Sequence, residues 1–76
     1  MIVRLLIWSL ADSKTTVEEL REHLPPDPNR TWISDDTTER FGVIETWDGE
    51  PEAFPADIRG LIGKDPEIAE EFDVEA

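Results

Sequence analysis

The chain has 76 residues, no cysteine, one histidine, and 19 acidic against 7 basic side chains, for a formal net charge of −12. That length holds one small domain, 1–76, and the missing cysteines exclude disulfides, thiolate metal sites and a cysteine nucleophile. The acidic balance argues against nucleic acid and against anionic membrane surfaces, both of which it would repel.

A domain of this size buries only about 60% of the surface its unfolded chain exposes. Small domains compensate with disulfides, metals or a partner chain. With no cysteine and a single histidine, oligomerisation is the remaining route. Hydrophobic residues make up 38% of the chain, with three tryptophans. That is too apolar for a disordered segment.

Residues 2–10, "IVRLLIWSL", read as a strand, rich in Val, Ile and Leu. One parity carries Val3, Leu5 and Ile7. The other carries Ile2, Arg4, Leu6 and Trp8. The run lacks a basic segment before it and is interrupted by Arg4, so it reads as structure and not as a signal peptide. The expectation is a cytoplasmic protein.

"TTVEELREHL", residues 15–24, has helix grammar. Thr15 and Thr16 stand three residues before Glu18 and Glu19, the spacing of a capping box. Val17, Leu20 and Leu24 form one stripe. "PPDP" at 25–28 stops the helix.

"RTWISDDTTERFGVIETWD", residues 30–48, predicts a hairpin turning at "DDTTE". A turn centred on Thr37 and Thr38 sets Trp32 opposite Val43 and Arg30 opposite Glu45. One hairpin face then carries Arg30, Trp32, Phe41, Val43, Glu45 and Trp47. The other carries Thr31, Ile33, Gly42, Ile44 and Thr46.

A second helix is expected over Ala56 to Ile62, after Pro51 and Pro55, with Gly63 as its C-terminal cap. Ile68, Glu70, Phe72 and Val74 alternate with Ala69, Glu71 and Asp73, which suits a closing strand, a frayed acidic helix being the weaker alternative. The order β-α-β-β-α-β predicts an α+β, ferredoxin-like fold: a four-stranded antiparallel sheet with both helices on one face.

Two apolar sheet faces then need covering. Assigning Val3, Leu5, Ile7, Ile33 and Ile44 to the helices, with the small Gly42 and Thr46 admitting them closely, leaves Ile2, Leu6, Trp8, Trp32, Val43 and Trp47 on the far side with Arg4, Arg30 and Glu45. Soluble monomers avoid exposing such a patch. A homodimer through that sheet face would cover it.

"RTWISDDTTERFGVIETWDGEPEAF", together with "EEFDVEA", resembles the small mono-oxygenase family of the YdhR type, within the dimeric α+β-barrel superfamily that includes antibiotic-biosynthesis mono-oxygenases. Trp32, Gly42, Trp47–Asp48, Glu52-Ala53 with Phe54, and Phe72-Asp73-Val74 carry the resemblance. It spans residues 30–76, the first strand and helix matching in order only. It implies a homodimer whose two sheets enclose a barrel, and a cofactor-free oxidation of an aromatic or polyketide-like substrate. The chain departs from the superfamily's pocket chemistry: it has no tyrosine, its one asparagine is Asn29 and its one histidine is His23. Only Trp32 carries over by motif, as a strand aromatic.

The candidate substrate-binding residues are Trp32, Trp47 and Trp8, with Arg4 and Glu45 as polar anchors. Large aromatics are also ordinary core or interface, and Arg4, Arg30 and Glu45 also suit a cross-strand ion-pair set. His23 is either a proton carrier or a surface partner of Glu19. Asp35, Asp36 and Glu39 are either cation ligands or turn residues, the turn reading being the stronger. No nucleotide, serine-hydrolase or zinc-protease motif is present. No metal site or cofactor is expected. The expected function is a homodimer that binds an apolar or aromatic small molecule in a Trp-lined pocket, as a mono-oxygenase or as a non-catalytic ligand-binding or interaction module. An acidic decoy for a basic partner is a third possibility, against which stands the even spread of the acid.

Overall fold

A computed structural model describes residues 1–75. The elements run β1 Ile2–Ser9, α1 Val17–Glu22, β2 Arg30–Asp35, β3 Arg40–Trp47, α2 Ala56–Ile62 and β4 Ile68–Asp73. All strand pairings are antiparallel and the sheet order is β2-β3-β1-β4. This is the α+β, ferredoxin-like arrangement expected. Among the described residues no helix is long and apolar enough to cross a membrane.

Local signals place the element ends. The Thr16 hydroxyl accepts from the Glu19 N–H at 3.1 Å and caps α1. α1 stops at Glu22, two residues before its expected last stripe residue. Leu24 precedes a proline, which disfavours helical backbone there, yet its side chain still packs on the core. Gly63, at φ 73°, ends α2 in the left-handed region. The hairpin register is the expected one, with Trp32 opposite Val43 and Arg30 opposite Glu45.

The sides of the sheet are reversed from the expectation. The core joins Leu6, Trp8, Phe41 and Val43 of the sheet to Val17 and Leu20 of α1 and to Ile58 and Ile62 of α2. The tryptophan face is therefore the helix face. The reason is volume and charge together. The helices are only 6 and 7 residues long, and bulky aromatics are what fill the layer between them and the sheet. The charges that seemed to bar this face from a core neutralise one another, as shown below.

The opposite face carries Val3, Leu5, Ile7, Ile33, Ile44, Ile68 and Phe72, with Glu70 of β4 opposite Leu5, by the strand register. No helix lies on it. Gly42 sits on this face too, so admitting a helix is not its role. A Cβ at Gly42 would come within 2.6 Å of the Leu6 carbonyl oxygen, with Ile7 and Ile33 close on either side. The glycine is needed because the neighbouring strand's backbone approaches closely. β4 is exposed along its whole length, Ile68 and Phe72 included.

The two helix-bearing segments are tied together by hydroxyls. Thr15 Oγ1 donates to the Leu61 carbonyl at 2.6 Å, and Ser13 Oγ to the Ile62 carbonyl at 3.2 Å. The last turn of α2 thereby finds donors for carbonyls that the helix itself leaves free.

Candidate functional site

Alternation along β1, β2 and β3 brings Arg4, Arg30 and Glu45 into one row on the helix face, since Glu45 is the register partner of both arginines. Glu45 is fully buried. One of its oxygens accepts from Arg4 Nε and the other from Arg30 Nε, the latter at 2.6 Å. Arg30 also pairs with Asp27 and donates to the Ala53 carbonyl at 3.2 Å. Arg4 donates to the Glu52 carbonyl at 2.8 Å. The Arg30 guanidinium lies 5.0 Å from the centre of the Trp47 ring, within cation–π range.

Two cations therefore meet two carboxylates beneath the segment after β3. Asp27 enters from the proline-rich loop before β2, held in place as its side chain accepts the Asn29 N–H at 2.8 Å. Asn29 Nδ2 donates to the Thr46 carbonyl at 2.8 Å, locking this end of the hairpin. The cluster is compensated in charge and rich in hydrogen bonds, as a buried ionic group must be.

The second cluster is aromatic. Trp8 lies 5.1 Å from Phe54 and 6.2 Å from Phe41, centre to centre. Trp32 stacks on Phe41 at 5.7 Å and meets Phe54 edge-on at 5.9 Å. Phe54 is thus the keystone between Trp8 and Trp32, although it precedes α2. Trp8 Nε1 donates to the Lys64 carbonyl at 3.1 Å. The indole N–H groups of Trp32 and Trp47 are buried without a partner among the described residues. Each such group costs on the order of 1–3 kcal/mol.

The five candidate residues are divided between these clusters. Arg4, Glu45 and Trp47 meet around Arg30. Trp8 and Trp32 meet around Phe41 and Phe54. Sequence reasoning missed Asp27 and Phe54 as members. The signal for Asp27 was present, since a carboxylate three residues before Arg30 in a proline-stiffened loop can turn back onto it.

Beside the aromatic cluster, Leu6, Trp8, Phe54, Arg59, Lys64 and Pro66 line a cleft of about 160 Å³. On the open sheet face a shallower groove of about 180 Å³ runs over Ile7, Ile33 and Gly42 to Arg40.

The remaining candidates resolve as structure. His23 is exposed and caps the end of α1 through its backbone N–H. Its side chain makes no ion pair with Glu19 among the described residues. Asp35 accepts from the Thr37 N–H at 3.0 Å and the Thr38 N–H at 3.4 Å, forming the hairpin turn. These bonds hold its carboxyl below the ordinary value of 3.8. Asp36 pairs with Arg21 at 3.4 Å. Among the described residues no group of three His, Cys, Asp or Glu side chains could hold a metal ion.

No family model, no curated protein and no solved structure matches this chain.

Proposed function

We propose that the chain works as a homodimer joined through the open face of its sheet, each subunit holding an apolar or aromatic small molecule between its sheet and α2. The observation that carries the assembly is β4. Ile68 and Phe72 lie on the open face beside Val3, Leu5 and Ile7, and both are exposed, with no helix over them among the described residues. Two apolar side chains flanking Glu70 on a strand with no covering layer stabilise little until a second layer arrives.

The accessible surface points the same way. The chain exposes 5204 Å², against roughly 4,700 Å² for a compact monomer of its mass. The excess has the sign expected of a subunit lacking its partner. A sheet-to-sheet homodimer is also what the resemblance to the small mono-oxygenase family implies.

For the ligand, the support is the cleft bounded by Trp8 and Phe54. Oxidation of an electron-rich ring, with oxygen as co-substrate and no cofactor, is the reaction the resemblance suggests. Non-catalytic binding is the reading that the side chains favour. Arg4, Arg30 and Glu45 are spent on one another, and His23 is remote at the end of α1. Among the described residues no histidine or carboxylate lines the cleft.

Light scattering tests the assembly. A mass near twice 8.7 kDa is expected, falling to the monomer value in Ile44→Lys. A monomeric parent protein overturns the dimer. Oxygen uptake on a panel of dihydroxy-aromatics, run beside tryptophan quenching, separates the ligand readings. Saturable quenching without uptake supports the binding module, and turnover supports the oxygenase.

A further inference from the structure

The chain holds 7 basic side chains. Arg4, Arg21, Arg30 and Arg59 each lie within ion-pair distance of a carboxylate. Among the described residues Lys14, Arg40 and Lys64 do not. Both lysines of the chain are thus outside ion-pair distance of a carboxylate, despite its net charge of −12.

Lys64 differs from Lys14 in being half-buried. It follows Gly63, whose left-handed backbone turns the chain off α2. Its own carbonyl is fixed by the Trp8 indole. It forms part of the wall of the Trp8–Phe54 cleft, and also borders the adjoining cleft of about 350 Å³ that Lys14 shares.

The first cleft thus has Phe54 as its aromatic wall, set over the buried Trp8, and one lysine with no carboxylate within ion-pair distance among the described residues. Arg59, also on its wall, is engaged with Asp65 at 3.6 Å. The free charge is a single one, which matches a monoanion better than a phosphate dianion. A volume of about 160 Å³, some five waters' worth of space, accommodates one ring and one small polar group. The protein's overall negative field is screened beyond about 8 Å at physiological salt, so the nearest cation decides the sign of attraction.

We propose that this cleft binds a single-ring aromatic carboxylate, its ring against Trp8, Phe54 and Leu6 and its carboxylate at Lys64. This rests on the reading that the ligand is an aromatic small molecule, and adds its charge and the residue that selects it.

The experiment is a titration of the ¹H–¹⁵N indole signals with benzoate, benzyl alcohol and benzylammonium at constant ionic strength. Trp8 is assigned through its contact with Lys64, to whose carbonyl its Nε1 donates. Benzoate is expected to shift the Trp8 indole saturably and to bind most tightly, benzylammonium least. Lys64→Gln keeps the backbone carbonyl that Trp8 uses. It is expected to weaken benzoate about fivefold, the scale of one part-exposed ion pair, and to leave benzyl alcohol unchanged. Equal binding of benzoate and benzyl alcohol, indifferent to Lys64→Gln, would overturn the carboxylate assignment while sparing the aromatic-ligand reading. No saturable shift of Trp8 with any of the three would overturn both.

Discussion

Glu45→Gln is the sharpest probe of the buried ionic cluster. The substitution keeps the shape and removes the charge. Glu45 accepts from two arginines, one on each oxygen. Glutamine can accept from one of them, and must then point its own N–H donors at the other. Arg30 has a side chain only 5% exposed and cannot turn to water. It keeps Asp27, the Ala53 carbonyl and the Trp47 face. Arg4, at 21% exposed, keeps the Glu52 carbonyl and partial hydration. Removing one partner of a buried ion pair costs about 3–5 kcal/mol, and the residual contacts favour the lower figure. A 76-residue domain has a total stability of about 4–11 kcal/mol. With a urea m-value of about 1 kcal/mol/M, the unfolding midpoint should fall by about 3 M. Tryptophan fluorescence reads the transition, because Trp47 lies under Arg30. A fall of less than about 0.5 M would refute the argument that Glu45 holds the cluster together. The triple variant Arg4→Met, Arg30→Met, Glu45→Leu separates charge from shape. An apolar replacement of a whole buried ionic group is often neutral, so this variant should be more stable than Glu45→Gln alone. Asp27, 19% exposed, keeps access to water in it.

Three further outcomes follow from the backbone and the turn. Gly42→Ala places a methyl group against the Leu6 carbonyl; it should cost about 2 kcal/mol and lower the melting temperature by about 10 °C. Glu39 holds φ at 54°, a region that asparagine tolerates better. Glu39→Asn should therefore raise the melting temperature by about 3–6 °C. Asp35 has its carboxyl lowered first by the Thr37 N–H, then by contacts to Thr38, with the Arg40 charge adding to them. A depressed folded-state value means the contribution is complete above the ordinary 3.8 and is lost as pH falls through the lower folded value. Between about pH 5 and pH 2.5 the parent protein's urea midpoint should fall further than that of Asp35→Asn; equal falls would show that the turn does not couple to folding.

Element order, hairpin register, the Thr16 cap and the Gly63 stop were legible because each rests on chemistry within a few residues. Thr16 needs only the Glu19 N–H, and Gly63 only its own backbone. The parity within each strand was legible for the same reason: Trp32 and Val43 share a face whatever packs on it. Which face meets the helices was not. That depends on how two short helices fill a layer, a property of the assembled volume. Val3, Leu5 and Ile7 form the more uniformly apolar row, and uniform apolarity pointed to the core. The row with Arg4 won because Glu45 and Asp27 compensate the two arginines, and because Trp8, Phe41 and Trp47 supply bulk that valine and leucine do not. Lys64 escaped notice because its distinction is the absence of a partner, which only spatial neighbours reveal.

Reversing the faces changes how ligand and assembly relate. With the tryptophans at a dimer interface, a single variant such as Trp32→Ala would disturb binding and mass together. In the structure they are separate. The Trp8–Phe54 cleft lies on the helix side, and the uncovered row of Leu5, Ile7, Ile44 and Phe72 lies on the other. The backbone of one sheet stands between them. A change at Ile44 should therefore alter mass and leave the Trp8 indole unmoved, while Lys64→Gln should do the reverse. The two ends of that comparison share β1. Leu6 faces the cleft and its neighbours Leu5 and Ile7 face the open side, and β3 is placed the same way, with Phe41 near Trp8 and Ile44 on the open side. If Ile44→Lys yields a folded monomer with altered benzoate affinity, the sheet itself is transmitting the change between its two faces, through β3 or through its neighbour β1.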